Sequence, residues 1–302
     1  MKRNMGKGRK GQQMKRNMRK CRKRRQMKRK WGTRAIFLTG FLLCCLPTFN
    51  NVIEQRRQAD AVATYQKTVD KMEEKVDGML AEAKKYNDML YQSEGILVDG
   101  TDILSDRSYQ NMLNISGTGI MGSLDIPKIH VELPIYHGTA NESLSGGVGH
   151  LQGTSLPVGG ANTHSVLSGH RGLPSSKLLV RLDEMQAGDL FFIRLGNETL
   201  AYKVCDIQIV EPDDTTVMRI EREKDLVSLV TCTPYGINTH RLVVTGERAE
   251  YSKAGYDSIE QGVPSVREIL LSALPFLFIV IAIAGYIKNR REDRKKGQEE
   301  VK

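Results

Sequence analysis

Seven short runs rich in Val, Ile, Leu, Thr and Tyr follow one another between residues 119 and 245, separated by glycine, proline or polar turns. They cover 119–126, 131–136, 165–168, 189–195, 200–210, 226–231 and 241–245. Runs this short and β-branched predict strands, and many short strands with few helices predict a barrel or a sandwich. The stretch 146–151 leaves room for an eighth strand. A helix is predicted near 177–182, and 211–224 reads as a polar connection.

Upstream, Val62, Tyr65, Val69, Met72, Val76, Met79, Ala83, Tyr86 and Leu90 recur in steps of three and four. Such spacing puts one apolar stripe on a helix, and Gly78 is the expected point of a break. Residues 92–117 are polar and rich in turn formers, which predicts a long loop with a short helix at 109–113. Loops of that length in compact domains often serve as lids or binding loops.

The charge is segregated. Residues 1–34 hold 17 of the 45 Lys and Arg and no acid, leaving 28 basic residues against all 35 acidic ones in the remainder. The body is therefore acidic overall and offers no nucleic-acid surface, while the basic tail is expected to be disordered. Behind it, residues 35–49 form an apolar run of 15, short for a span and readable as a signal core or an uncleaved anchor. Residues 269–287 give 19 positions without a charge, followed by a basic cluster, which predicts a spanning helix with its tail inside. The expected topology is two-pass, with both termini cytoplasmic and residues of about 51–265 outside.

Chemistry is concentrated where strands open into loops. Cys232 follows the run 226–231, just before Pro234 and Gly236, and Arg241 begins the next run. If those two strands are antiparallel neighbours, thiol and guanidinium meet at one end of the sheet, and a nearby cation favours thiolate over thiol. His170 ends another strand between Gly169 and Arg171-Gly172. Cys with His makes a nucleophile and base, and Arg can stabilise an oxyanion, a set suited to acyl transfer. The plainer reading is a small buried cysteine at a strand end, and a Cys205–Cys232 bridge stays open. Neither His-Glu-x-x-His nor Cys-x-x-Cys occurs, so no metal site is expected. The glycine-rich stretch 146–164 lacks the Gly-Lys-Ser/Thr of a phosphate cradle, and no cofactor is expected.

From about 112 to 251 the chain resembles a sortase, specifically a class C, pilin-polymerising sortase. The likeness rests on GIMGSLDIPKIHVELPI at 119–135, YHGT at 136–139, 155–171 with Gly172-Leu173-Pro174, LVTCTPY at 229–235 and NTHRL at 238–242. It implies a closed eight-stranded β-barrel behind N-terminal helices, on a Gram-positive cell surface. It also implies Cys232 as nucleophile, His170 as acid and base, and Arg241 as oxyanion or substrate clamp. The substrates implied are pilin or surface proteins bearing an LPxTG-like sorting signal, and the acceptor a pilin lysine. Class C enzymes usually carry an Asp-Pro-aromatic lid, whereas residues 97–104 read LVDGTDIL, without proline or aromatic. A looser lid is expected, in which Asp99 or Asp102 pairs with Arg241 and Ile103 covers Cys232.

The expected order is a basic tail (1–34), an anchor or signal-like segment (35–50), a helical and lid region (51–118) and a catalytic barrel (119–251). A linker (252–268), a transmembrane helix (269–287) and a cytoplasmic tail (288–302) follow. Three other readings compete: a sortase anchoring proteins to peptidoglycan, a thiol hydrolase passing the acyl group to water, and a non-catalytic, membrane-tethered binding module.

Overall fold

A computed structural model describes residues 5–93, 106–171, 178–260, 262 and 266–299. It divides into two compact units, Asn50–Val263 and a second formed by Met1–Phe49 with Pro264–Lys302.

The larger unit is a closed barrel. Its strands are β1 (Ile120–Ile126), β2 (Val131–His137), β3 (Val148–His150), β4 (Thr163–Ser168), β5 (Leu190–Leu195), β6 (Glu198–Val210), β7 (Asp225–Thr233) and β8 (His240–Ala249). They close in the order β1-β2-β3-β4-β7-β8-β6-β5. Pairs β2–β3 and β4–β7 are parallel and the others antiparallel. Inward positions such as Leu124, Leu167, Val227, Leu229, Leu242 and Val244 share one buried core. Alternate residues of β4, β7 and β8 point the other way. There Val166, Val230 and Val243 join Val210 and Met218 in a separate apolar cluster, which is why β7 is buried on both faces and reads as a continuous apolar run.

The strand omitted from the seven runs is β3. It has three residues and a central glycine, too little pattern for periodicity to register. A Cβ added at Gly149 would lie 2.2 Å from the Gly138 carbonyl oxygen and 3.1 Å from Leu144 Cδ2. Gly149→Ala is therefore expected to cost about 1–3 kcal/mol by overpacking. That lowers the thermal midpoint by roughly 2–12 °C at 2–4 °C per kcal/mol. Circular dichroism melting of the full chain measures it, and an unchanged midpoint would mean that β2 and β3 can separate at no cost.

The helices are α1 (Met5–Val69), α2 (Glu73–Gln92), α3 (Asp106–Asn111), α4 (Asn141–Gly146), α5 (Lys253–Asp257) and α6 (Val266–Glu299). The apolar stripe is interrupted at residues 70–72, and the break expected at Gly78 does not occur. Glu73 and Glu74 in the first turn of α2 favour a new N-terminus there. Gly78 sits exposed inside α2, where glycine costs only about 1 kcal/mol. Asn87 of α2 locks onto the barrel through both amide atoms, its Nδ2 donating to Leu156 O (3.0 Å) and its Oδ1 accepting from Leu156 N (2.7 Å). Tyr65 of α1 donates to Met121 O at 2.8 Å and accepts from Gly196 N.

The helix predicted near 177–182 is also corrected. The chain turns at 178–181 and makes one 3₁₀ turn at Leu182–Glu184. Leu178, Leu179 and Leu182 are buried, but Leu179 N is tied to His170 O at 3.2 Å, so a tertiary contact replaces the helical bond. The expected short helix at 109–113 lies three residues earlier, at α3.

In the smaller unit, α1 runs as helix through the basic segment from Met5, where disorder was expected. Lys, Arg, Met and Gln lose little rotamer freedom in a helix, and the apolar run that follows continues it. Within α1, Ala35–Val69 is long and apolar enough to cross a membrane by length and composition. The apolar portion of α6, Ala273–Lys288, is shorter.

Candidate active site

The end of the barrel where β4 and β7 stop and β8 starts gathers the residues singled out by sequence. Cys232 and Arg241 are direct partners in the β7–β8 ladder, so their side chains share a face. It is the face of Val230 and Val243, outside the main core. Both residues are half-buried. Cys232 is a free thiol, as is Cys205, which closes the question of a bridge between them.

His170 arrives from β4. Parallel pairing sets Ser168 level with Val230, so two residues further on His170 comes level with Cys232. Two bonds continue the register past the last paired residue. Gly169 N donates to Val230 O at 2.9 Å, and Thr231 Oγ1 donates to Gly169 O at 2.7 Å. A side chain at Gly169 would strike Leu179 at 2.7 Å, so glycine lets the Leu178–Leu182 segment press against the histidine loop. The ends of β4, β7 and β8 thus bring residues 170, 232 and 241 to one end of the sheet.

Arg241 is steadied from its own turn. Its Nη1 donates to the carbonyls of His240 (3.2 Å) and Asn238 (3.4 Å). Asn238 is left-handed, at φ 62°, and its amide bonds back to Pro234 O at 3.0 Å. Asparagine tolerates that conformation better than most side chains. Among the described residues no carboxylate pairs with Arg241. A guanidinium on the thiol's face can receive developing negative charge on a carbonyl oxygen.

Next to this trio, the apolar cluster of Val166, Val210, Met218, Val230 and Val243 makes a floor. The connection between β6 and β7 is pinned beside it by His164. That imidazole donates through Nδ1 to Arg219 O at 2.7 Å, and its Nε2 accepts from Ser228 Oγ at 2.8 Å. Burial lowers the pKa of His164, against the Arg219 hydrogen bond and Glu221. This bond spans 55 residues, and nothing in the local sequence around His164 marks it. Sequence reasoning missed Arg171 and Thr233, which flank His170 and Cys232 and bond to each other. The lid candidates Asp99, Asp102 and Ile103 lie outside the described residues. No group of metal-ligating side chains occurs among the described residues.

Comparison with known proteins places the barrel in a family. The Sortase domain family model matches residues 124–249. The crystal structure of sortase C1 from Streptococcus agalactiae is 44% identical, superimposes with a TM-score of 0.61, and is covered over 100% of its length by 64% of this chain. The chain belongs to the sortase family. A second solved sortase, sortase C of Clostridium perfringens with the C-terminal cell wall sorting motif, is 40% identical with a TM-score of 0.57. It is covered over 100% of its length by 64% of this chain. Among curated proteins, Sortase D of Bacillus subtilis (strain 168) is 35% identical over 130 residues, 42% of this sortase and 63% of that protein. Sortase A of Streptococcus agalactiae serotype III (strain NEM316) is 31% identical over 139 residues, 45% of this chain and 54% of its own length. The chain thus spans somewhat less than two thirds of the curated relatives it matches.

Proposed function

We propose that this sortase is a membrane-anchored cysteine transpeptidase that cuts an LPxTG-like sorting signal and joins it to a lysine amine of a pilin subunit. The observation that carries the reading is the meeting of His170, Cys232 and Arg241 at one end of β4, β7 and β8. Cys232 gives its thiol proton to His170 as Sγ attacks the threonine carbonyl carbon, and the carbonyl oxygen takes up negative charge beside Arg241. The C–N bond to glycine breaks as His170 protonates the leaving amine, and a thioester remains on Cys232. The lysine amine then forms the new C–N bond and gives its proton to His170, and the C–S bond breaks. The thioester divides one difficult amide exchange into two easier steps, and one imidazole serves both proton transfers.

Pilin as substrate is supported by the likeness to solved class C sortases, one of them carrying a cell wall sorting motif. The membrane reading is supported by the apolar helix Ala35–Val69 and by the uncharged run at 269–287 with its basic tail. In it, both basic ends stay inside and the barrel faces out.

The test uses the full chain in detergent with an LPxTG peptide, followed by intact mass with and without a lysine-bearing pilin peptide. The expected result is an acyl adduct on Cys232 that passes to the lysine. An adduct released only to water despite excess acceptor would make the protein a hydrolase. No adduct on Cys232 would overturn the reading. With whole pilin, a ladder of covalent multimers is expected rather than a single cell-wall adduct.

A further inference from the structure

We infer that Arg171 is a positioning residue for the catalytic pair, holding the histidine loop against the strand that carries the nucleophile. The inference rests on the sortase reading for the roles of His170 and Cys232, but its geometry is independent of substrate.

Arg171 follows His170 directly, and Thr233 follows Cys232. Arg171 Nη1 donates to Thr233 Oγ1 at 2.9 Å. Its Nε donates to Val180 O at 3.3 Å, and its Nη2 pairs with Asp183 Oδ2 at 2.5 Å. All three guanidinium nitrogens are engaged, and the side chain is only 8% exposed against 50% for Asp183. A nearly buried cation is costly unless it is paired and hydrogen-bonded, so this arginine is held in one place by everything around it.

The position matters because the regular pairing of β4 with β7 stops at Ser168–Val230, two residues short of the reacting groups. Before His170, the Gly169 bonds to Val230 and Thr231 hold the register. After it, the Arg171–Thr233 bond does so. His170 is therefore bracketed on both sides by ties to the residues that bracket Cys232. A lysine in place of Arg171 keeps the charge, but its single nitrogen cannot serve three acceptors in a planar fork.

Two substitutions test this in the full chain. Thr233→Val removes only the hydroxyl acceptor, and Arg171→Lys removes the fork. Each is expected to lower kcat of acyl transfer by about 10- to 100-fold, the scale of an ångström-level misplacement. KM and the rate of Cys232 alkylation by iodoacetamide should stay near wild type. A merely structural loss would instead raise alkylation as the barrel opens. A second readout needs no sorting signal. The His170 ring resonances, assigned with His170→Gln, should move on alkylation of Cys232 in the wild type and move less in both variants.

Wild-type kcat together with wild-type resonance coupling in Thr233→Val would overturn the inference. So would loss of kcat and KM in step with the melting midpoint. If Arg171→Lys fails to fold, Thr233→Val alone decides. A wild type that transfers no acyl group overturns the proposed function, and the resonance coupling still decides the role of Arg171.

Discussion

Replacing Cys232 with alanine is expected to abolish the acyl adduct outright. Replacing His170 with glutamine should slow acyl transfer by about 10²–10⁴-fold, the usual contribution of a general acid and base. Replacing Arg241 with alanine should cost about 10²–10³-fold, the scale of losing one oxyanion donor. The three losses differ in kind. Without the thiol there is no thioester to observe. Without the imidazole, Cys232 should still alkylate, while proton exchange at the leaving and incoming amines should slow. Without the guanidinium, the loss should fall on kcat with little change in KM if charge appears on the carbonyl oxygen only in the transition state. Single-turnover mass spectrometry with sorting peptide separates these cases. Losses that simply add in the double variant His170→Gln/Arg241→Ala would argue that the two residues act in separate steps. A double variant no worse than either single would argue that they act as one unit.

Acidification should destabilise the barrel between about pH 6.5 and pH 4, and His150 is the main cause. This imidazole, at the end of β3, is completely buried. Its Nε2 donates to Ser155 O at 2.9 Å, and its Nδ1 meets Tyr109 Oη at 2.9 Å. Burial pushes its pKa down to about 4, against the Ser155 hydrogen bond, with His137 lowering it further. Its folded pKa lies below the ordinary value of 6.5, so the unfolded chain binds more protons throughout that window. The stability is fully present above pH 6.5 and is lost as pH falls toward 4. Integrated over the window, the loss is about 3 kcal/mol. His164 shifts in the same direction. Asp125 opposes them, because burial raises its pKa despite Tyr256 and Arg194. Urea unfolding of the full chain at pH 7 and pH 4.5 measures the sum. His150→Gln should be less stable at pH 7 and markedly less pH-sensitive. An equal pH slope in that variant would assign the effect to other groups.

The barrel was legible because seven of its strands are long enough to show β-branched runs between turn residues. β3 was visible only as a gap, since Val-Gly-His carries no period. The helix misread at 177–182 has a physical source. Leu178, Leu179 and Leu182 have helical spacing, yet their burial comes from filling space beneath Gly169 and His170. Residues Cys232, His170 and Arg241 stood out because each sits where a strand meets a loop, a position that local sequence marks well. Arg171 and Thr233 carried no such mark. Their bond joins side chains 62 residues apart, and only the parallel register of β4 on β7 makes them neighbours.

That parallel register bears on when the thiol becomes dangerous. Parallel strands cannot be joined by a tight turn, so the chain must leave β4, build β5 and β6, and return as β7 before Cys232 reaches His170. The histidine cannot meet the cysteine in a half-made chain, because the intervening residues are part of the wall that brings them together. A chain in which β7 has yet to join β4 therefore holds the cysteine and the histidine apart. The proposed catalytic pair comes into being only with barrel closure.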